Sequence, residues 1–180
     1  MKALILAGGL GTRLGKLTKN TPKPLITVAG KPIIEHIVDR LNLHGIHDII
    51  INTHYLATQI NEKLETRALY YHVNQLLGHK GTIFALKPWL KDEDFFTING
   101  DTLTDLSYTE MMLVHKPKTI TAFMDSEWRC GGTWIYSKEI FTQDLPVIPY
   151  RPHAEFFDTG TPEKLEKARK YYGDTNSDSL

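Results

Sequence analysis

Apolar runs of strand length alternate along this chain with amphipathic segments of helical length, and that alternation restricts the fold more than any other feature. The first run, residues 3–7, is apolar throughout and ends at Gly8 and Gly9, which is typical of a strand buried on both faces of a sheet. Residues 32–44 carry their apolar side chains on one helical stripe, and Gly45 is placed to cap that helix. Alternation of this kind predicts an α/β fold with a mostly parallel sheet and helices on both faces.

The remaining segments continue the same pattern within one domain. We predict strands at residues 3–7, 48–52, 69–73, 95–99, 119–124 and 133–136, and helices at 32–44, 56–64, 82–90, 107–114 and 162–172. Thr161 is a suitable N-cap for the last helix, and Pro162 suits its first position. The predicted architecture is a Rossmann-like three-layer domain over residues 1–172, followed by a flexible polar tail at 173–180.

Composition excludes several classes of protein. A chain of 180 residues suits one domain, and 21 Lys+Arg against 21 Asp+Glu give no net charge to attract nucleic acid or a membrane surface. No apolar run approaches the roughly 18 residues of a membrane span. The single cysteine, Cys130, excludes an internal disulfide framework and a cysteine-based zinc cage. Because the start lacks a signal-peptide pattern, we expect a cytoplasmic protein; the sequence is compatible with a homo-oligomer.

Ligands bind beyond the C-terminal ends of the strands in sheets of this type, and this rule directs attention to three segments: residues 8–13, residues 99–101 and the loop around Asp158. The first is rich in glycine, which lets backbone N–H groups approach an anion, and Arg13 adds a fork for phosphate oxygens. It is not a Walker A loop, because Leu17 follows Lys16, and it is not a dinucleotide fingerprint, because position 14 is leucine. A tight turn without a ligand remains the alternative.

A lysine held between two prolines favours the ligand interpretation. Pro22 and Pro24 restrict the backbone on either side of Lys23 to an extended form, which lowers the entropic cost of presenting its ammonium group. A solvated surface lysine has no need of such restraint. We therefore expect Lys23 to make a rigid contact with a phosphoryl group.

Five motifs in order resemble those of the sugar-1-phosphate nucleotidyltransferases, the nucleotide-sugar pyrophosphorylases, whose nucleotide-diphospho-sugar transferase fold the resemblance also implies. The glycine loop, read as LAGGLGTRL and followed by TPKPL, is the most specific of them. The others are LLGHKGT at residues 76–82, NGD at 99–101, GGTWIY at 131–136 and FDTGTPE at 157–163. The resemblance runs from the first residue to about Tyr172.

The resemblance implies a role for each matching position. The nucleoside triphosphate would contact Leu6, Ala7, Gly8, Gly9, Gly11, Thr12, Arg13, Lys23, Gln75, Gly78 and Asp101. Arg13 and Lys23 would act in catalysis, Arg13 on the leaving pyrophosphate and Lys23 on the α-phosphoryl group. Asp101 and Asp158 would hold Mg²⁺, the cofactor that the family uses. From the residues alone, Asp101 could be a turn residue and Asp158 a local cap, and His79 and Lys80 could be ligand contacts or loop residues.

The region that would bind the acceptor departs from the family pattern. The family inserts a substrate-binding segment here that ends in a Glu-Lys-Pro element, whereas this chain has only residues 125–130. Glu127 or Arg129 could replace the missing pair, and Gly132 in the GGTWIY motif is a third candidate for substrate binding. The departure therefore concerns recognition of the sugar rather than the reaction.

The implied function is transfer of a nucleotidyl group from an NTP to a sugar 1-phosphate in nucleotide-sugar biosynthesis. The LLGxxGT form of residues 76–82 is closest to the guanylyltransferase branch, which acts on mannose or heptose 1-phosphate. Two alternatives stay open: a uridylyl- or cytidylyltransferase that uses another phosphorylated small molecule, and a non-catalytic nucleotide-binding regulator. The expected partners are the NTP and the sugar phosphate, with neither nucleic acid nor a membrane.

Overall fold

The computed structural model describes residues 1–173, and residues 174–180, most of the predicted tail, lie outside the described residues. The strands are β1 (Lys2–Leu6), β2 (Thr27–Val28), β3 (Lys31–Pro32), β4 (Ile49–Thr53), β5 (Leu69–His72), β6 (Phe95–Asn99), β7 (Thr102–Thr104), β8 (Ile120–Met124), β9 (Cys130–Tyr136), β10 (Val147–Tyr150) and β11 (Phe156–Asp158). The α-helices are α1 (Ile33–Leu43), α2 (Ala57–Leu64), α3 (Gly78–Ala85), α4 (Lys87–Leu90), α5 (Tyr108–Val114) and α6 (Pro162–Tyr172). Short 3₁₀ helices cover Thr12–Thr18, Lys23–Leu25, Glu65–Arg67 and Lys138–Phe141.

The central sheet has seven strands in the order β10-β8-β9-β6-β1-β4-β5. Strands β6, β1, β4 and β5 run parallel, as do β8 and β10, while β9 runs antiparallel to both of its neighbours, β6 and β8. The predicted α/β fold with a mostly parallel sheet is therefore confirmed. The antiparallel direction of β9 and the edge strand β10 were not predicted.

Helices cover both faces of the sheet, and β1 shows why. Its side chains alternate, so that Ala3 and Ile5 join a core that includes residues of α1, α2, α5 and α6, while Leu4 joins a second core with residues of α3 and α4. These β1 residues are fully buried. A strand with apolar residues on both faces needs a helical layer on each side, as the continuous apolar run of residues 3–7 predicted.

Most predicted elements have the expected position, and two need correction. The predicted helix 82–90 is instead two helices, α3 over Gly78–Ala85 and α4 over Lys87–Leu90. The break at Leu86 lies just before Pro88, which has no N–H group to continue the hydrogen bonds of α3. The predicted strand 133–136 begins three residues earlier, at Cys130, where it pairs with Met124. Gly173, predicted to begin the tail, caps α6 in a left-handed conformation. Among residues 1–173, none of the helices has the length and apolar character that crossing a membrane requires.

Gly131 lets the antiparallel strand β9 pass close to the core residue Phe123. A Cβ atom at position 131 would overlap the Phe123 ring, which is fully buried. We therefore expect Gly131→Ala to lower the free energy of unfolding by about 1–3 kcal/mol, the usual cost of overpacking a core. Gly9→Ala is the matched control, because a Cβ there would meet nothing within 4 Å. Urea unfolding of both variants measures the difference, and equal stability of the two would contradict this packing.

Candidate active site

The glycine loop begins at the C-terminal end of β1 and folds back over Lys23. The Ala7 N–H donates to Asn52 Oδ1 over 2.9 Å at the end of the neighbouring strand β4. Gly11 has φ +67°, and a Cβ there would lie 2.9 Å from Thr18 Cγ2 and 3.1 Å from Lys23 Cβ. Glycine is therefore required at position 11 both for the left-handed backbone and for the close approach of the loop to Lys23.

Lys23 carries a buried charge at the centre of this region. Pro22 is extended as predicted, but Lys23–Leu25 form one turn of 3₁₀ helix rather than a continuous extended segment. Lys23 is only 6% exposed, and its Nζ lies 2.5 Å from Asp101 Oδ2 and 3.8 Å from Asp158 Oδ1. A buried ammonium group is stable only when it is paired, and the two carboxylates supply that pairing.

Pairing between β7 and β11 brings the two carboxylates together from distant parts of the chain. These strands form an antiparallel pair in which Asp158 is opposite Thr102, the residue after Asp101. Thr159 then donates to the Asp101 carbonyl oxygen through its N–H over 3.0 Å and through its hydroxyl over 2.8 Å. Asp101 and Asp158 thus meet on one ammonium group, as expected for residues that share a site.

Asp158 is held by two donors and by nearby positive charge. Its Oδ1 accepts from the Gly160 N–H over 2.8 Å, and its Oδ2 lies 2.6 Å from Lys164 Nζ. Burial alone would raise the pKa of this carboxyl, but the Lys164 hydrogen bond and the charges of Lys23 and Lys164 outweigh burial and lower the pKa below its ordinary value. Asp158 is therefore ionised at neutral pH.

The donor set at this point fits a magnesium ion bound together with phosphates. In the part of the chain that the structure describes, no group of three or more His, Cys, Asp or Glu side chains could hold a metal. Mg²⁺, however, commonly takes only one or two protein carboxylates and completes its shell with water and substrate phosphate oxygens. Asp101 and Asp158 supply two such carboxylates, and Lys23 already holds a positive charge against both of them.

A cavity of about 500 Å³ opens beside the two carboxylates. Its walls are formed by Arg13, Asn99, Asp101, Thr102, Arg129, Cys130, Phe156, Phe157, Asp158, Lys164 and Lys167. Arg13 reaches this wall next to Gly160, because a Cβ atom added at position 160 would lie 2.8 Å from Arg13 Nη2. The cavity therefore joins the predicted residues Arg13, Asp101, Asp158 and Arg129, and it is large enough for a small phosphorylated ligand.

The shortened acceptor region is a tight turn between β8 and β9. Asp125 Oδ1 accepts from the N–H groups of Glu127 and Arg129, both over 2.9 Å. The Arg129 guanidinium lies 2.7 Å from Asp125 and 3.2 Å from Glu127. Arg129 reaches the cavity wall, whereas Glu127 is not among its lining residues. The third candidate, Gly132, approaches the site with its backbone, because a Cβ there would lie 3.1 Å from Thr102 Oγ1.

The predicted base-binding residues lie apart from this cluster and are exposed: Gln75 is on the segment between β5 and α3, and Gly78 is the first residue of α3. The segment leaves the same edge of the sheet as the glycine loop, because β5 runs parallel to β4 and β1. His79 points away from it, towards the sheet: its Nε2 lies 3.2 Å from Thr97 Oγ1 and its ring packs edge-on against Trp134. Burial lowers the pKa of His79, so that a neutral packing role is the better interpretation of this residue.

Four lining residues were not singled out from the sequence: Thr102, Phe156, Lys164 and Lys167. The sequence did contain a signal for Lys164. The N-cap Thr161 places Lys164 in the first turn of a helix that begins shortly after Asp158, so its side chain could be expected near that carboxylate. The lone cysteine also reaches this wall. Burial raises the pKa of the Cys130 thiol, which favours the protonated and less reactive form of this side chain.

The chain also resembles known proteins. Residues 2–126 match the model of the nucleotidyl transferase family. An N-acetylmuramate alpha-1-phosphate uridylyltransferase from Neisseria meningitidis is 40% identical over 116 residues, which is 61% of this chain and 50% of that protein. The catalytic subunit beta of mannose-1-phosphate guanylyltransferase from Xenopus tropicalis is 34% identical over 125 residues, or 64% of this chain and 35% of that protein. The chain thus spans between about a third and half of these relatives.

The fold has a close match among solved structures. A putative glucose-1-phosphate thymidylyltransferase from Bacillus anthracis superposes with a TM-score of 0.88 over 98% of this chain and 96% of that one, at 18% identity. At that identity the match concerns the fold alone, and it agrees with the mostly parallel sheet described above. The sequence match covers most of the chain, including the glycine loop, Lys23 and Asp101. This chain therefore belongs to the nucleotidyl transferase family.

Proposed function

We propose that this chain transfers a nucleotidyl group from an NTP to a sugar 1-phosphate, which yields an NDP-sugar and pyrophosphate. The observation that carries the proposal is the position of Lys23, whose buried ammonium group lies against both Asp101 and Asp158 beside the glycine loop. The ammonium group, together with a Mg²⁺ ion that the two carboxylates would hold, would supply what phosphoryl chemistry needs, namely neutralisation of negative charge. The cavity next to them gives room for the acceptor.

The proposed reaction needs no general base. A phosphate oxygen of the sugar 1-phosphate attacks the α-phosphorus of the NTP and forms a new P–O bond. The bond from that phosphorus to the bridging oxygen of the pyrophosphate breaks, and the electron pair leaves with the pyrophosphate. Because the second pKa of a phosphate monoester is about 6, the attacking group is already largely dianionic at neutral pH. Positioning and charge neutralisation are then the main contributions of the protein.

Each proposed residue has a role in that chemistry. Lys23 stabilises the charge that grows on the α-phosphoryl oxygens, and Arg13, on the cavity wall, binds the leaving pyrophosphate. The glycine loop wraps the triphosphate, while Gln75 and Gly78 contact the base. Asp101 and Asp158 would hold Mg²⁺, which when bound neutralises charge on the phosphate oxygens.

We propose GTP with mannose or heptose 1-phosphate as the first choice of substrates. The LLGxxGT form of residues 76–82 and the likeness to a mannose-1-phosphate guanylyltransferase support it. A uridylyltransferase is the second candidate, because the Neisseria relative that carries that activity in its name is 40% identical. The single cysteine fits a reducing compartment, and we propose the cytoplasm as the site of the reaction.

A matrix of pyrophosphate-release assays tests this proposal and its alternatives. Each NTP is incubated with Mg²⁺, with and without a panel of sugar 1-phosphates. We expect one NTP to be preferred and release to require the acceptor, with several sugar 1-phosphates used at comparable kcat/KM because the acceptor region is short. Tight NTP binding without release under every condition would instead favour a non-catalytic nucleotide-binding regulator.

Arg129 provides a smaller, separate test of the acceptor site. Its side chain is 65% exposed and already paired with Asp125 and Glu127, so that its contact with a phosphate should be weak. We expect Arg129→Ala to raise the KM for the sugar 1-phosphate about three- to tenfold, the equivalent of roughly 1 kcal/mol, and to leave the KM for the NTP unchanged. Steady-state kinetics of Arg129→Ala are compared with those of Arg151→Ala, because Arg151 Nη2 donates to the Ser126 carbonyl oxygen of the same turn over 2.9 Å. An effect of Arg151→Ala alone would move the role to Arg151.

A further inference from the structure

Two lysines of the last helix line the same cavity as Arg129. Lys164 and Lys167 are three residues apart on α6, and both line the cavity beside Asp101 and Asp158. Residues three apart on a helix lie on the same side, so the two ammonium groups can act on one ligand. With Arg13 and Arg129, they give this wall four cationic side chains against two carboxylates, which favours an anionic occupant.

Lys164 lies next to the place where the reaction is proposed to occur. Its Nζ is 2.6 Å from Asp158 Oδ2, while Lys23 Nζ is 3.8 Å from the other oxygen of the same carboxylate. One carboxylate therefore separates the buried Lys23 from Lys164, whose side chain is 50% exposed. The side that Lys164 occupies is the side open to an incoming ligand.

The pairing of these cations differs in a way that matters for ligand binding. The carboxylates of Asp125 and Glu127 neutralise Arg129. Both lie outside the cavity wall, and no metal ion is proposed to compete with Arg129 for them. Lys164 is paired with Asp158, a carboxylate proposed to bind a divalent cation, and a cation there would compete with the ammonium group for it. Within residues 1–173, the side chain of Lys167 makes neither a hydrogen bond nor an ion pair with another residue. The charge available to an anion is therefore that of α6.

We propose that Lys164 anchors the phosphate of the acceptor, with Lys167 as a second cation. The ligand is a phosphate monoester of about the size of a sugar phosphate, and the inference rests on the proposed function. In this arrangement Lys23 and Lys164 act from the two sides of Asp158, Lys23 on the α-phosphoryl group and Lys164 on the attacking phosphate. The lysine that the shortened segment between β8 and β9 lacks is thereby replaced from a different element of the fold.

Lys164→Met removes the charge and keeps most of the aliphatic chain, and both residues are good helix formers. We expect this variant of the full chain to raise the KM for mannose 1-phosphate about 10- to 100-fold, as the loss of a charged hydrogen bond does. The KM for the NTP should stay within about twofold, in line with a residue that contacts only the acceptor. Lys170→Met is the matched control, because Lys170 lies on the same helix, is exposed and does not line the cavity.

Equilibrium binding of mannose 1-phosphate, measured by calorimetry with Mg²⁺ and without NTP, gives a readout that needs no turnover. We expect weaker binding in Lys164→Met by a similar factor, and wild-type binding in Lys170→Met. Equal loss in both lysine variants, or no loss in Lys164→Met, would overturn the inference. If the wild-type chain forms no NDP-sugar but binds mannose 1-phosphate through Lys164, the proposed reaction fails and the anchor stands.

Discussion

Asp101→Asn is expected to lower kcat by about 10³-fold or more and to leave the chain folded. The change removes one of two carboxylates that would hold the metal, and a metal ion contributes several kcal/mol of charge stabilisation, where each 1.36 kcal/mol is a factor of ten in rate. It also removes the 2.5 Å partner of Lys23, which leaves that buried ammonium with Asp158 at 3.8 Å. Steady-state pyrophosphate release and a thermal melt measure the two effects, and EDTA should abolish wild-type turnover.

Asp92→Asn is the control for the same chemical change, because Asp92 is exposed and lies before β6, whereas Asp101 follows that strand. This variant should keep the wild-type rate. A folded Asp101→Asn protein whose rate lies within about tenfold of wild type would contradict the metal assignment. Loss of a carboxylate that holds the catalytic metal should lower the rate by much more than that.

Lys23→Met is expected to lower kcat about 10²- to 10³-fold, the usual cost of losing one preorganised charge contact at the reacting group. The effect should fall mainly on kcat, because charge on the α-phosphoryl oxygens grows in the transition state. Lys23 is suited to this role since it is buried and fixed by two carboxylates, so no reorganisation is needed when the charge develops. Separate kcat and KM values for the NTP measure the effect.

Lys91→Met supplies the comparison for Lys23→Met, because Lys91 is exposed and remote from the cavity wall. It should behave as wild type in both constants. A Lys23→Met variant that changes only the KM for the NTP would show that Lys23 binds the ground state and the transition state equally, and its proposed catalytic role would be wrong.

The elements that sequence predicted well are those whose signals are local. The continuous apolar run of β1 needs two covering layers, the stripe of α1 has a helical period, and Thr161 and Pro162 mark the start of α6 within a residue. The position of the glycine loop at the end of β1 follows from the same local pattern. These parts of the fold required no knowledge of which strands pair.

The parts that sequence missed depend on pairing between distant segments. Strands β7 and β11 are three residues each, too short for a periodic signal, yet their pairing brings Asp158 to Asp101. The direction of β9 is likewise set by its neighbours, because a strand pattern is the same in both directions. For the proposed metal site, the motifs indicated the carboxylates, but only the structure gave their common partner, Lys23.

The acceptor site shows a third kind of limit. Residues 125–130 stand after β8, at the point where the family inserts its acceptor-binding element. The sequence therefore directed attention to Glu127 and Arg129. In the structure these two side chains neutralise each other in part, and the cations available to an anion come from α6. Charge balance of this kind depends on side-chain contacts that no linear pattern contains.

The most direct test of the proposed reaction follows the α-phosphate of the nucleotide. The chain is incubated with Mg²⁺, mannose 1-phosphate and GTP or UTP labelled at the α-phosphate, and the products are separated. We expect the label to appear in an NDP-sugar, with one pyrophosphate released for each molecule formed and no transfer without the acceptor. Two results would contradict nucleotidyl transfer as the function of this site if they held for all NTPs and sugar 1-phosphates. In the first, the label stays in the NTP; in the second, it appears only in NMP that forms at the same rate without the acceptor.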